Sequence, residues 1–62
     1  MYITLTDKDG IAFTVAVNLI HSIREKLHGA KITLETGEVI YCREHAIEVY
    51  QKIIDAKFRE EH

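Results

Sequence analysis

The alternation of apolar and polar positions predicts a β-hairpin at the start of the chain. In residues 2–6, Ile3 and Leu5 alternate with polar or aromatic neighbours, and a second alternating segment covers residues 11–17. A period of two with β-branched residues is typical of a half-buried strand. The connecting sequence Asp7-Lys8-Asp9-Gly10 is rich in turn formers, with glycine where φ must be positive. Two strands joined this closely predict a hairpin.

Residues 18–28 have an ambiguous pattern. Asn18 is a suitable helix cap, and Leu19, Ile20, Ile23 and Leu27 also match helical spacing. The alternative is one helical turn over residues 18–20, followed by a strand over residues 21–26. We favour the strand, because the next strand would otherwise lack a sequential antiparallel neighbour.

The second half predicts another hairpin and then a helix. Residues 30–35 alternate, Thr36-Gly37 is a hairpin loop, and residues 38–42 return as a strand. This last strand is apolar on both faces, so we expect cover on both sides. From Arg43 onward the period changes from two to 3.6, which predicts a C-terminal amphipathic helix. The predicted fold class is α+β, with an antiparallel sheet of four to five strands built from hairpins.

Length and composition limit the possibilities further. Sixty-two residues predict a single small domain over residues 1–62, and a core of this size supplies only about 3–5 kcal/mol. One cysteine excludes an intrachain disulfide, which leaves a partner subunit or a metal as the source of further stability, unless the core suffices alone. No apolar run approaches the length that crosses a bilayer, and the first residues do not resemble a signal peptide. We therefore predict a cytoplasmic protein with no membrane insertion.

Cys42 and His45 have the spacing of half a zinc site. A structural zinc site needs four ligands, and His21, His28 and His62 form no second pair at ligand spacing. A thiol near a helix start can also be a nucleophile, although no orienting third group is suggested. We favour a structural interpretation, in which Cys42 is a small buried residue at a strand end. We expect no metal, no cofactor, no small-molecule substrate and no catalytic residues.

A group of basic residues surrounds one predicted turn and the start of the helix. Its members could contact phosphate groups: Arg24, Lys26, Lys31 and Arg43, with His28 nearby. The formal net charge of −2 disfavours a nucleic-acid binder, because phosphate contacts dominate such affinity. We favour a solvated hairpin face, on which lysines discourage edge-to-edge pairing.

The apolar arc of the predicted helix is wider than one small sheet can cover. We expect Ile47, Tyr50, Ile54 and Phe58 to seal the sheet, leaving Val49, Ile53 and Ala56 for a second subunit. The predicted partner interface as a whole comprises Ile47, Val49, Tyr50, Ile53, Ile54 and Phe58. The hypothesis is a homodimer or another assembly formed through this helix and a sheet edge.

Taken in order, these segments resemble the flagellar FlbD/SwrD family. The resemblance rests on Ile3-Thr-Leu-Thr, Asn18-Leu-Ile-His-Ser-Ile23, Ile32-Thr-Leu-Glu-Thr-Gly and the helix around Glu48-Val-Tyr-Gln-Lys-Ile-Ile54. The loop at residues 25–30 lacks the proline-aspartate turn usual in the family, and Asp7-Lys8-Asp9 replaces a more basic stretch. The resemblance implies a cytoplasmic, non-enzymatic protein that supports flagellar motor function through protein contacts. It also supports the strand at residues 21–26.

A short strand-rich chain that ends in the segment Arg43-Glu-His-Ala-Ile47 and a tyrosine-bearing helix is also similar to the RNA-binding carbon storage regulator CsrA. That family reads RNA with basic residues in its first strand and near its helix start. Arg43 matches the second position, but the first strand here has Thr4 and Thr6 and no arginine. A small RNA- or DNA-binding regulator is therefore the alternative to a protein-interaction module.

Overall fold

The computed structural model describes residues 1–60 and has the α+β composition predicted from the sequence. Five strands, β1 to β5, are followed by one helix, α1, and the bounds in chain order are Tyr2–Thr6, Ala12–Ala16, Ile20–Lys26, Gly29–Leu34, Val39–Cys42 and Ala46–Glu60. A short 3₁₀ turn, Val17–Leu19, precedes β3. The structure therefore confirms the strand in the ambiguous segment, and it begins with Ile20, one residue earlier than predicted. The helix begins three residues later than the change of period indicated.

The strands form two antiparallel sheets, whereas the sequence predicted one. β1 pairs with β2, and β4 lies between β3 and β5. A few hydrogen bonds join the two sheets: Arg43 N donates to Thr6 O at 2.8 Å, and Thr6 N and Oγ1 donate to the Glu44 carboxylate at 2.9 Å each. Strand alternation predicts which faces are apolar, but it does not specify which strands pair. The division into two sheets was therefore outside what the pattern could show.

Two turns follow the predicted chemistry. The Asp7 carboxylate accepts hydrogen bonds from Asp9 N at 2.9 Å and from Ile11 N at 3.0 Å, which closes the first hairpin. Gly37 takes a φ of 92° in the turn before β5, a conformation that costs other residues more. Asp7 is thus a turn former, as expected from the sequence.

The core lies between the two sheets and the helix. Its buried members come from both sheets and from α1, and they are Ile3, Leu5, Val15, Ala30, Ile32, Leu34, Cys42 and Val49. On the three-stranded sheet, the buried residues all project from one face. The other face is open, so the expected cover on both sides of β5 is wrong: Val39 and Tyr41 are 42% and 62% exposed.

Candidate functional site

The outward side of α1 carries a continuous row of exposed apolar side chains, which we call the outer helix stripe. Its members and their exposed fractions are Ile47 (77%), Tyr50 (50%), Ile54 (58%) and Phe58 (62%). Their spacing of three, four and four residues places them within one side of an α-helix. No other element of the described chain contributes so many large apolar groups to one surface.

The structure reverses the predicted orientation of the helix. Val49 is fully buried, and Ile53 and Ala56 pack against the core. These three were expected to face a second subunit, while the outer helix stripe was expected to seal the sheet. The inward set contains the smaller side chains, which allows α1 to lie close over β1. Val49 and Ile53 therefore leave the predicted interface, and the four residues of the outer helix stripe remain in it.

A carboxylate from β3 holds the start of the helix. Glu25 Oε1 accepts a hydrogen bond from Ala46 N at 2.8 Å, and Glu25 Oε2 lies 2.7 Å from His45 Nδ1. The N–H of Ala46 and then the His45 contact lower the pKa of the Glu25 carboxyl below its ordinary value of 4.5. The Glu48 carboxylate also accepts a hydrogen bond from His45 N, at 3.4 Å. These contacts fix the direction in which α1 leaves the sheet.

Cys42 and His45 have separate roles in the structure. Cys42 is buried at the end of β5, with its Sγ 3.7 Å from Ala30 O and 3.4 Å from Glu44 O. Burial raises the pKa of the thiol, which is the opposite of what a nucleophilic cysteine needs. His45 is held by Glu25. Within residues 1–60, no group of three or more His, Cys, Asp or Glu side chains is placed to hold a metal ion. His62 lies outside the described residues.

The open face of the three-stranded sheet collects basic side chains in two neighbouring rows. Arg24 in β3, Lys31 in β4 and Tyr41 in β5 are register partners across the sheet. In the next row, Lys26 pairs with Gly29, and Arg43 follows β5. We call these side chains (Arg24, Lys26, Lys31, Tyr41 and Arg43) the outer sheet face. The structure thus brings together the four basic residues singled out in the sequence, and it adds an exposed aromatic ring that was not singled out.

The second row borders an open groove of about 470 Å³. Gly29 also lines the groove, and a side chain there would collide with the end of β5: a Cβ on Gly29 would lie 1.9 Å from Cys42 O. Arg43 reaches from one wall towards the first hairpin, where its Nη2 donates to Lys8 O at 2.7 Å. Lys8 and His28 also line the groove, and each of the charged side chains in its lining is basic.

Comparison with known proteins adds no assignment. No family model, no curated protein and no solved structure matches the chain. Within residues 1–60, no helix combines the length and the apolar character needed to span a lipid bilayer.

Proposed function

We propose that this chain is a non-enzymatic protein-interaction module that self-associates through the outer helix stripe. The observation that carries the proposal is the exposure of Ile47, Tyr50 and Ile54 on a helix whose opposite side already fills the core. A helix that only covered its own sheet would have polar residues at these positions. The cytoplasmic location and the flagellar role expected from the FlbD/SwrD resemblance are compatible with such a module and form part of the proposal.

The size of the stripe suits a second copy of the same chain. If a large side chain offers about 200 Å², the exposed fractions of the stripe correspond to about 500 Å² per chain. A twofold contact would then bury about 1,000 Å² in total, which is the lower limit for specific interfaces. The added burial also compensates for the small core of a chain of 62 residues.

The charges at the helix ends favour an antiparallel pair. The first turn of α1 carries Glu48, and the last turn carries Lys57 and Arg59. An antiparallel arrangement places the acidic end of one helix beside the basic end of its partner, and the two helix dipoles then oppose one another. A closed twofold dimer has this self-complementary character, since the same surface is used by both copies.

Sedimentation equilibrium over a range of concentrations tests the proposal. We expect a species of twice the 7.2 kDa chain mass at tens of micromolar, with dissociation on dilution. High salt should weaken the dimer only slightly, because apolar contact supplies most of its stability. A single 7.2 kDa species at all of these concentrations would refute self-association.

A further inference from the structure

We infer that the outer sheet face is a binding surface for single-stranded nucleic acid, separate from the outer helix stripe. The two surfaces share no residue, and this inference does not depend on self-association. It assigns phosphate contacts to Arg24, Lys31 and Arg43 and a base-stacking role to Tyr41.

The distribution of charge is the first observation behind this inference. Five of the eight Lys and Arg residues, namely Lys8, Arg24, Lys26, Lys31 and Arg43, lie on or beside the outer sheet face. Three of the neighbouring carboxylates are hydrogen-bonded within the fold: Glu25 binds the helix start, Glu44 binds Thr6, and Asp7 accepts backbone hydrogen bonds in the first turn. A local potential of this kind acts within about 10 Å at ordinary salt. The overall charge of −2 therefore does not oppose an anionic ligand here.

The position of Lys31 in the sheet is the second observation. It lies in β4, the central strand of the sheet, and faces Arg24 directly across the β3–β4 pair. Like charges in this arrangement are unfavourable. Protection of a sheet edge, which the sequence suggested for this cluster, does not explain a lysine in the central strand. A ligand that carries negative charge would remove the repulsion.

The third observation is the position of the exposed aromatic ring. Tyr41 is 62% exposed and occupies the same cross-strand row as Lys31 and Arg24. Nucleic bases stack on aromatic side chains of open sheet surfaces, while flanking cations contact the phosphates. Lys26 and Arg43 line the same open groove of about 470 Å³, which has room for a backbone phosphate between them. An acidic peptide would use the cations but would have no need of the ring, so these observations favour nucleic acid.

Fluorescence anisotropy with a labelled oligouridylate, titrated over a salt series, tests the inference. Contacts from three cations predict a slope of about −2 for the logarithm of affinity against the logarithm of salt concentration. Lys31→Gln should reduce this slope by about 0.7. Tyr41→Ala should weaken binding about tenfold, whereas Tyr41→Phe should retain it because the ring still stacks.

Lys52→Gln is the matched control, because it removes one positive charge from the helix at a residue outside the outer sheet face. It should bind oligouridylate as the wild type does, and circular dichroism should show that all four variants are folded. Failure to bind at low salt would overturn the inference. Equal binding of a polyglutamate peptide, with no effect of Tyr41→Ala, would also overturn it and would indicate an acidic protein partner.

Discussion

Two adjacent isoleucines in α1 should respond to the same substitution in opposite ways. Ile54 belongs to the outer helix stripe and is 58% exposed, whereas Ile53 packs against the core. We expect Ile54→Asp to give a folded monomer and Ile53→Asp to unfold the chain. The chemical change and the position along the helix are nearly identical, so each variant controls for the other.

The expected magnitudes follow from burial. At about 25 cal/mol per Å², covering the roughly 100 Å² that Ile54 exposes contributes about 2.5 kcal/mol per chain, and hence about 5 kcal/mol per dimer. Losing this contribution weakens dimerisation by about three to four orders of magnitude. Ile53 is partly buried, so its truncation should cost the lower end of the about 2–5 kcal/mol typical of a buried isoleucine, which is a large share of the about 3–5 kcal/mol expected for so small a core. A carboxylate at Ile53 adds the cost of burying charge.

Sedimentation combined with thermal melting by circular dichroism measures both outcomes. Ile54→Asp should keep the helical signal while its mass falls to 7.2 kDa. If the isolated monomer proves too unstable to study, Ile54→Ala provides a milder test. The melting temperature of the wild type should rise with protein concentration, and this dependence should shrink in Ile54→Ala. A folded monomer from Ile53→Asp, together with an intact dimer from Ile54→Asp, would refute the orientation of the helix and the proposed interface.

Three further predictions concern the contacts that position these surfaces. In urea denaturation, Gly29→Ala should lower the free energy of unfolding more than Gly37→Ala. Both glycines have positive φ, but only a side chain at residue 29 would clash, with Cys42 O. Equal losses of stability would contradict the close approach of β4 and β5. The folded-state pKa of Glu25 is lowered, so its stabilising effect is present above about pH 4.5 and is lost as the pH falls through the folded-state value. The melting temperature of Glu25→Gln should therefore fall less than that of the wild type on acidification, and parallel profiles would argue against the helix-start contact. Cys42→Ser should leave the oligomeric state unchanged, and the native thiol should resist alkylation until urea is added; rapid alkylation of the folded chain would show that the thiol is accessible.

Sequence pattern predicted the local elements of this chain well, because strand alternation and turn glycines act over a few residues. It predicted the helix but gave the wrong side of it to the core, because two sets of apolar residues lie on opposite sides of α1 and either could face the sheet. From hydrophobicity alone, the larger side chains of the outer helix stripe were predicted to pack against the sheet. The structure instead places Val49 inside, and this choice depends on the space above β1, which no pattern within the helix encodes.

The candidate surfaces were harder to predict, because they depend on contacts between distant parts of the chain. Arg43 reaches Lys8, which is 35 residues away, and Glu25 caps a helix that begins 21 residues later. Spacing in the sequence identified Arg24, Lys26, Lys31 and Arg43 as a group, and the predicted pairing of residues 30–35 with the strands before and after them implies a central position for β4. That position gives Lys31 its significance, since a lysine at a sheet edge needs no functional explanation.

The two proposed surfaces together predict a coupling that neither predicts alone. A dimer formed through the outer helix stripe would carry two outer sheet faces, and an oligonucleotide long enough to reach both would bind the second face at a high effective concentration. Long oligouridylates should then bind the wild type at least about a hundredfold more tightly than short ones. Ile54→Asp should abolish this length dependence and leave the affinity for short oligouridylates unchanged, because it separates the faces without altering either one. If the length dependence survives in the monomeric variant, each face binds alone and the dimer does not contribute to nucleic-acid affinity.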